Sequence, residues 1–174
     1  MGVVTFIFVG EIHTDWRNVV AQGVTEKKLP IILTSPNTCH EDSDDCGAYI
    51  LGMQEERSNW DMIGAKMNSI RTKTLLQDAD VVVVKFGDKY RQWNAAFDAG
   101  MASAWGKSLI VLHPPALSHM LKEVDAAANV VCEEPEQVVQ TLAYITTGAL
   151  PDTPKDRDSY IPIADRLGKG NPNP

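Results

Sequence analysis

A single carboxylate, Asp98, stands in an alanine-rich stretch at residues 93–106 that has no other ionisable side chain. The stretch follows a run of four valines and ends in Gly106, which is typical of a helix between two buried strands. Isolated buried carboxylates are costly, so they are usually paired, protonated or functional. Asp98 is therefore a candidate reactive group. The alternative is a surface carboxylate that faces solvent or caps a neighbouring group.

Two polar loops, residues 10–17 and 87–94, supply groups that could bind a small molecule beside Asp98. Tryptophan rings offer stacking faces, basic side chains and imidazole offer donors, and carboxylates or amides can hold hydroxyl groups. The side chains of these types are Glu11, His13, Trp16, Arg17, Lys89, Arg91, Trp93 and Asn94. Asn68 and Arg71, on one turn of another predicted helix, are by themselves typical of exposed polar residues.

Five strands that alternate with helices must position these loops. Continuous apolar, β-branched runs predict strands at residues 3–9, 30–34, 79–86, 109–112 and 129–132. Apolar periodicity and helix-boundary signals predict helices from Trp16, over residues 60–77, after residue 93, at about 117–126 and at about 135–147. Asp15 is expected to cap the first helix. The acidic residues between 36 and 58 are expected to form an irregular insertion.

This alternation predicts an α/β protein with a three-layer Rossmann-like (flavodoxin-like) fold and a five-stranded parallel sheet of order 2-1-3-4-5. The order reverses between the first and third strands, and ligands of open α/β sheets bind beyond the strand ends at that point. The two polar loops are expected to meet there, near the start of the Asp98 helix. Residues 1–147 are expected to form this domain, and residues 148–174, which hold half of the prolines, a Pro-rich tail.

Composition and motifs exclude several classes of function. A net charge of −7 over 174 residues argues against a general nucleic-acid or anionic-membrane binder. No apolar run reaches the roughly 18 residues of a membrane span, so we expect a cytoplasmic protein. No Gly-x-Gly-x-x-Gly follows the first strand, so we expect no dinucleotide cofactor, and no flavin phosphate cradle is apparent. Residues 100–108 resemble a phosphate loop only superficially, and Gly106 and Lys107 instead fit a helix end.

A metal site is the alternative interpretation of the acidic segment. Cys39, His40 and Cys46 lie close together, but no second Cys/His pair completes four ligands. The acidic residues at 41–45 also lack the spacing of a calcium loop. A solvated loop is therefore expected, with no metal, and the three cysteines do not suggest a disulfide framework.

Several segments together resemble the nucleoside 2-deoxyribosyltransferase-like superfamily. These are Phe-Ile-Phe-Val-Gly at residues 6–10, the strand at 78–84, and the helix at 97–107 with its closing Gly-Lys. Gly-Glu-Ile-His-Thr-Asp-Trp-Arg at 10–17, Asn-Ser-Ile-Arg-Thr at 68–72 and Gln-Trp-Asn-Ala-Ala-Phe-Asp at 92–98 are similar to the YtoQ family within it. The resemblance covers about residues 3–147.

The resemblance implies a role for each candidate residue. In that superfamily a Glu at the position of Asp98 attacks the anomeric carbon of a (deoxy)ribose and forms a glycosyl-enzyme intermediate. Asp98 is then the implied catalytic residue, and the implied substrate-binding residues are Gly10, Glu11, His13, Trp16, Arg17, Asn68, Arg71, Trp93 and Asn94. Asp is one carbon–carbon bond shorter than Glu, about 1.5 Å. Because Gln92-Trp93-Asn94 also replaces the usual acidic residue and glycine, sugar or base selection is expected to differ.

Three hypotheses follow. The first is an N-glycoside hydrolase or (deoxy)ribosyltransferase that acts on a nucleoside, nucleotide or related ribosyl compound. The second is a non-catalytic nucleotide or nucleotide-sugar sensor on the same fold. The third is an interaction module whose tail clasps a partner subunit. The resemblance also implies a homodimer or higher homo-oligomer.

Overall fold

The chain forms one parallel five-stranded sheet in a computed structural model that describes residues 2–53, 55–89 and 92–166. The strands are β1 (Val4–Gly10), β2 (Ile31–Thr34), β3 (Val81–Lys85), β4 (Ser108–Leu112) and β5 (Val130–Cys132). Their order is β2-β1-β3-β4-β5, and every neighbouring pair is parallel. The predicted α/β fold and strand order are therefore confirmed.

Helices cover both faces of the sheet. They are α1 (Trp16–Glu26), α2 (His40–Leu51), α3 (Arg57–Asp78), α4 (Trp93–Ala104), α5 (Ser118–Ala127), α6 (Pro135–Thr147) and α7 (Ile163–Arg166), with a short 3-10 turn at Pro115–Leu117. In β1, Phe6 and Phe8 pack with residues of α1 and α6, whereas Ile7 and Val9 pack with α4 and the end of α3. Burial on both faces explains why the strands are continuous apolar runs rather than alternating ones.

The acidic segment after β2 is helical, so the prediction of an irregular insertion is wrong for residues 40–51. Glu41 and Asp42 lie in the first turn of α2, where negative charge favours a helix. The helix is held by close backbone packing rather than by a wide apolar stripe. A Cβ at Gly47 would lie 2.6 Å from Cγ2 of Ile63, so only glycine lets α2 approach α3 this closely. The polar composition of residues 40–51 therefore gave no indication of a packed helix.

Two helix ends differ in detail from the sequence expectation. Asp15 occupies the N-cap position of α1, but its side chain makes no capping hydrogen bond and instead accepts one from Asn18. Gly106 follows α4 with a φ of +69°, as its role as a helix stop predicts. Lys107 stabilises a different helix from the one expected, because its Nζ donates to the carbonyl oxygens of Gln77 and Ala79 at the end of α3.

The segment after Gly148 is largely exposed as far as Arg166, the last residue described. Lys155 donates a hydrogen bond to the carboxylate of Glu133 and so ties this segment to the end of β5. The apolar side chains of Tyr160 and Ile161 in this segment are half-exposed. The division into a domain and a tail at residue 147 stays a prediction. Within residues 2–53, 55–89 and 92–166, no helix is long and apolar enough to cross a membrane.

Candidate functional site

The first polar loop begins at a backbone position that only glycine can occupy. Gly10 has a φ of +96°, and a Cβ there would lie 2.1 Å from the carbonyl oxygen of Lys85. The same carbonyl accepts a hydrogen bond from the backbone N–H of Glu11 at 3.0 Å. The end of β1 is therefore fixed directly against the end of β3, at the point where the strand order reverses.

Glu11 organises the loop from within. Its side chain is 3% exposed, and its carboxylate accepts hydrogen bonds from the backbone N–H of His13 and the hydroxyl of Thr14. Its backbone carbonyl accepts from Nε1 of Trp16 at 2.9 Å and from the guanidinium of Arg17. The sequence predicts a ligand contact at Glu11, whereas the structure commits its carboxylate to the loop itself.

Trp16 and Arg17 lie beneath the loop rather than in front of it. Trp16 is 2% exposed and packs against Phe8, with ring centroids 5.1 Å apart, so it offers no stacking face to a ligand. The reason is helical spacing, because Trp16, Val20 and Val24 form the buried face of α1.

The Arg17 guanidinium supports the loop from the same side. Its central carbon lies 4.6 Å from the centre of the Trp16 ring, and Nη2 donates to the carbonyl oxygen of Gly10 at 3.2 Å. Burial lowers the pKa of Arg17 to about 10, against the attraction of the Glu11 carboxylate. The sequence predicts a substrate-binding donor here, but the structure uses this side chain to hold the backbone of β1.

The second polar loop closes on the first. The backbone N–H of Gly87 donates to Oε1 of Gln92 at 2.8 Å, and Nε2 of Gln92 donates to the carbonyl oxygen of Lys89 at 2.8 Å. A Cβ at Gly87 would lie 2.8 Å from Cγ of Glu11, so the two loops are in contact. Tyr90 and Arg91 lie outside the described residues. The predicted meeting of the two loops is therefore observed.

Burial also affects Lys85, the last residue of β3. Desolvation lowers the pKa of Lys85, and the nearby carboxylates of Glu11 and Asp88 oppose that shift. Its Nζ lies 3.5 Å from the carbonyl oxygen of Phe86. Lys85 thus places a positive charge behind the junction of the two loops.

A hollow of about 630 Å³, the switch-point pocket, lies between the two loops. Trp93, at the start of α4, is 74% exposed and presents its ring at this pocket, as a stacking platform would. The lining residues are Gly10, Glu11, Ile12, His13, His40, Gln92, Trp93 and Asn94.

A second hollow of about 750 Å³, the Asp98 cleft, lies between α3, α4 and the start of α2. It shares His40 and Asn94 with the switch-point pocket, so the two hollows are neighbours. Its lining residues are His40, Ser43, Asp44, Arg57, Asp61, Gly64, Ala65, Asn68, Ser69, Thr72, Lys73, Asn94, Phe97, Asp98 and Met101.

Asp98 is an isolated carboxylate in this cleft. Burial raises the pKa of its carboxyl group from 3.8 to about 6, and no charged neighbour among the described residues contributes to the shift. Among the residues that the structure describes, none donates a hydrogen bond to it, in contrast to the fully engaged carboxylate of Glu11. An acid in this state exchanges a proton near neutral pH, a property typical of functional sites.

The structure brings most, but not all, of the predicted site residues together. Gly10, Glu11, His13, Trp93 and Asn94 line the switch-point pocket, and Asn68, Asn94 and Asp98 line the Asp98 cleft. Nδ2 of Asn68 donates to the carbonyl oxygen of Ser43 at 2.7 Å, so this residue also holds α2 against α3.

Arg71 is the predicted residue that the structure separates from both hollows. It is exposed on another face of α3, in a shallow depression formed with Met67, Ile70, Thr74 and Leu75. Residues three apart on a helix differ by about 60° in direction, so Arg71 lies beside the face of α3 that lines the cleft, whereas Thr72 lies on that face.

His40 is a functional candidate that the sequence interpretation considered only as a possible metal ligand. It lines both hollows, and its Nε2 lies 3.4 Å from Oδ2 of Asp44, one helical turn later. The available signal was the four-residue spacing of these two residues within an acidic first turn. No group of three or more His, Cys, Asp or Glu side chains in the described part of the chain is arranged to hold a metal ion.

Comparison with known proteins shows the family to which this chain is related. Residues 7–146 match the family described as nucleoside 2-deoxyribosyltransferase YtoQ. The chain is also 40% identical, over 136 residues, to a Bacillus subtilis (strain 168) protein described as uncharacterized protein YtoQ. That similarity covers 78% of this chain and 92% of the relative. The chain belongs to the YtoQ family.

All residues that line the two hollows of this YtoQ-family chain fall within the matched segment. Its fold is similar to that of a solved 2-deoxyribosyltransferase from Bacillus psychrosaccharolyticus, with a TM-score of 0.50 and 15% identity. The likeness covers 79% of this chain and 95% of the other. At this identity it establishes a common fold and nothing about individual residues.

Proposed function

We propose that this protein cleaves or transfers the N-glycosidic bond of a nucleoside, nucleotide or related ribosyl compound. The observation that carries the proposal is the carboxylate of Asp98, which is half-buried, has a pKa of about 6 and lies in a cleft of about 750 Å³. The chain's membership of a family described as nucleoside 2-deoxyribosyltransferase supplies the class of substrate.

Asp98 acts on the sugar in this proposal. Its ionised carboxylate attacks or stabilises the anomeric carbon as the bond to the base breaks, and water or a second base then releases the sugar. Burial away from water strengthens the interaction of a carboxylate with the positive charge that develops on the sugar. Low hydration also raises the free energy of the ionised Asp98 carboxylate in the free enzyme, in keeping with the raised pKa of this group.

The remaining groups supply recognition. Asn94 and Asn68 carry amides into the cleft that can bond sugar hydroxyls, and Trp93 offers an exposed ring for a base. Glu11, Trp16 and Arg17 act indirectly, since their contacts hold the loop at the end of β1. In this proposal, one set of residues binds the ligand and a second set holds the loop at the end of β1 in place.

Release of free base from a panel of nucleosides, 2′-deoxynucleosides and their 5′-monophosphates tests this function. We expect turnover of at least one member and its loss in Asp98→Asn, which keeps the size of the side chain. Asp158→Asn, in the exposed segment beyond α6, is the matched control and should match the wild type. Turnover that is equal in Asp98→Asn and wild type would remove Asp98 from the mechanism.

A nucleotide or nucleotide-sugar sensor is the second candidate. One observation favours it: the side chain at position 98 is Asp, shorter by about 1.5 Å than the Glu of the related superfamily. A displacement of about 1 Å can lower a reaction rate on the order of 100-fold. Thermal-shift screening with the same panel separates the two. Stabilisation by an intact ligand that survives days of incubation favours the sensor.

We further propose a homo-oligomer. The end of α2 and the segment after it expose several large apolar side chains, Tyr49, Ile50, Leu51 and Met53, and Phe97 on α4 is 63% exposed. Large apolar side chains that remain exposed close together in the chain, as at residues 49–53, favour a protein interface. Light scattering should report a mass above that of one chain. Removal of residues 150–174 tests the alternative in which the tail holds the partner, since only then should the mass fall.

A further inference from the structure

The departing base is the part of the proposed reaction for which the roles given so far name no proton donor. When the bond between the anomeric carbon and the base nitrogen breaks, the electron pair stays on the base. A general acid that protonates the base lowers this barrier, and such groups typically contribute 100-fold or more. A donor must therefore lie within reach of the bond between sugar and base, and the cleft that holds Asp98 is the first place to look.

Five ionisable side chains other than Asp98 line the described walls of that cleft: His40, Asp44, Arg57, Asp61 and Lys73. Arginine keeps its proton at all ordinary pH values, and lysine normally holds its own far above neutral pH. Aspartate side chains ordinarily carry no proton near neutral pH. Histidine is the side chain whose ordinary proton exchange falls between pH 5 and 8.

The position of His40 also fits the role of proton donor to the departing base. It is the first residue of α2, and it lines both the Asp98 cleft and the switch-point pocket, beside which Trp93 exposes its ring. His13, by comparison, lines only the switch-point pocket. Consider a ligand whose base stacks near Trp93 and whose sugar faces Asp98. His40 then lies on the wall that the two hollows share.

Asp44 is placed to orient this imidazole. Its Oδ2 lies 3.4 Å from Nε2 of His40, and the two residues are one turn apart on α2. A carboxylate beside one ring nitrogen limits the orientation of the ring, and Nδ1 is then the nitrogen available to donate to a substrate. Both side chains are largely exposed, with 73% and 63% of their surface accessible, so the pair contributes little to folding stability.

We propose that His40 is the general acid of this site and that Asp44 is its positioning residue. The proposal rests on the proposed function. In the step, the bond between C1′ and the base nitrogen breaks and the proton of His40 moves to the base. The Asp98 carboxylate takes up or stabilises C1′. Water then attacks C1′, gives its proton to the neutral His40 and restores both side chains.

A pair of substrates that differ in their need for a proton tests this assignment. 2′-Deoxyguanosine requires protonation of its leaving base, whereas 7-methyl-2′-deoxyguanosine carries a cationic base that leaves as a neutral molecule. We expect His40→Gln to lower kcat/KM for 2′-deoxyguanosine by about 100-fold and to change that for the methylated substrate by less than about fivefold. Asp98→Asn should lower both values. His119→Gln, on the exposed surface of α5, should lower neither.

The outcomes separate the two proposals. Equal effects of His40→Gln on both substrates, or no effect on either, overturn the role of His40 while the function stands. Wild-type enzyme that cleaves neither substrate, with no base release from the wider nucleoside panel, overturns both. Asp44→Asn gives the positioning test. It should lower kcat for 2′-deoxyguanosine and move the pH profile with KM nearly unchanged, and an unmoved profile removes Asp44 from the role.

Discussion

Asn94 and Asp98 lie four residues apart on the face of α4 that lines the Asp98 cleft, so their side chains are neighbours on one helix turn. Asn94 also lines the switch-point pocket. The amide therefore connects the loop junction at the end of β1 with the isolated carboxylate. A ligand held at the loops can extend along this face to reach Asp98, which makes the two hollows one candidate site.

The first prediction concerns folding stability. The pKa of Asp98 is raised from 3.8 to about 6 in the folded chain, so the folded state binds this proton more tightly than the unfolded state does. The free energy of unfolding should therefore fall as pH rises between those two values and stay low above them. Asp98→Asn removes this loss and should stabilise the protein at pH 7.5 by about 1–3 kcal/mol.

Urea unfolding of wild type and Asp98→Asn at a series of pH values measures this difference. The two curves should converge only near about pH 3, below both pKa values, where the wild-type carboxyl group is largely protonated in the folded and the unfolded state. Asp158→Asn controls for the loss of one negative charge at an exposed position. A wild-type protein that is as stable as Asp98→Asn at pH 7.5 would show that burial imposes no cost on the Asp98 carboxylate.

The second prediction concerns the pH dependence of activity. A nucleophile must be ionised, so kcat/KM should rise with pH, reach half of its plateau near the pKa of Asp98 at about 6, and level off above it. Rates with 7-methyl-2′-deoxyguanosine, whose cationic base leaves without a proton donor, give the profile from about pH 4.5 to 8 at constant ionic strength. A rate that stays constant down to about pH 5 would mean that another group carries the chemistry.

The strands of the sheet could be predicted because each corresponds to a short, continuous run of residues in the sequence. Residues 81–84 are four consecutive valines, and such runs fit strands buried on both faces. The order of the strands is then predicted as the common one for five parallel strands that alternate with helices. The place of the site follows from that order, which is why the sequence alone predicts that the loops at Gly10 and Gly87 meet.

The orientation of individual side chains could not be obtained in the same way. Trp16 and Arg17 have types that suit a ligand site, but Trp16 is turned into the core and Arg17 under the loop. The helix at His40–Leu51 was missed because close packing at Gly47 leaves no apolar stripe in the sequence. Both the side-chain orientations and the helix depend on contacts between segments that are distant in the sequence. Composition and periodicity carry no information about such contacts.

The third prediction concerns the junction of β1 and β3. Gly10→Ala would place a Cβ 2.1 Å from the carbonyl oxygen of Lys85 at a φ of +96°, so the backbone must move. We expect a loss of about 2 kcal/mol or more in the free energy of unfolding, together with loss of ligand binding at the switch-point pocket. Gly100→Ala is the control, since nothing lies within 4 Å of a Cβ there and the helix should gain slightly in stability. Equal stability of the two variants would contradict the close approach at Gly10.

The fourth prediction concerns a buried histidine outside both hollows. His113, at the end of β4, is 1% exposed, and its ring lies between the carbonyl oxygen of Pro114 at 2.8 Å and the two carboxylate oxygens of Asp125 at 3.1 Å. Asp125 belongs to α5, so this contact joins that helix to the sheet. Asp125→Ala leaves Nε2 of His113 buried without its partner and should cost about 1–3 kcal/mol.

Two further variants decide whether that cost belongs to the hydrogen bond. Asp125→Asn keeps an acceptor for the ring and should cost less than Asp125→Ala. Glu123→Ala, on the exposed side of the same helix, should change the free energy of unfolding by less than about 0.5 kcal/mol. Chemical denaturation at neutral pH provides the comparison. If Asp125→Ala and Glu123→Ala are equally stable, α5 is held by its apolar contacts alone, since Leu121 and Val124 pack against the cluster beneath it.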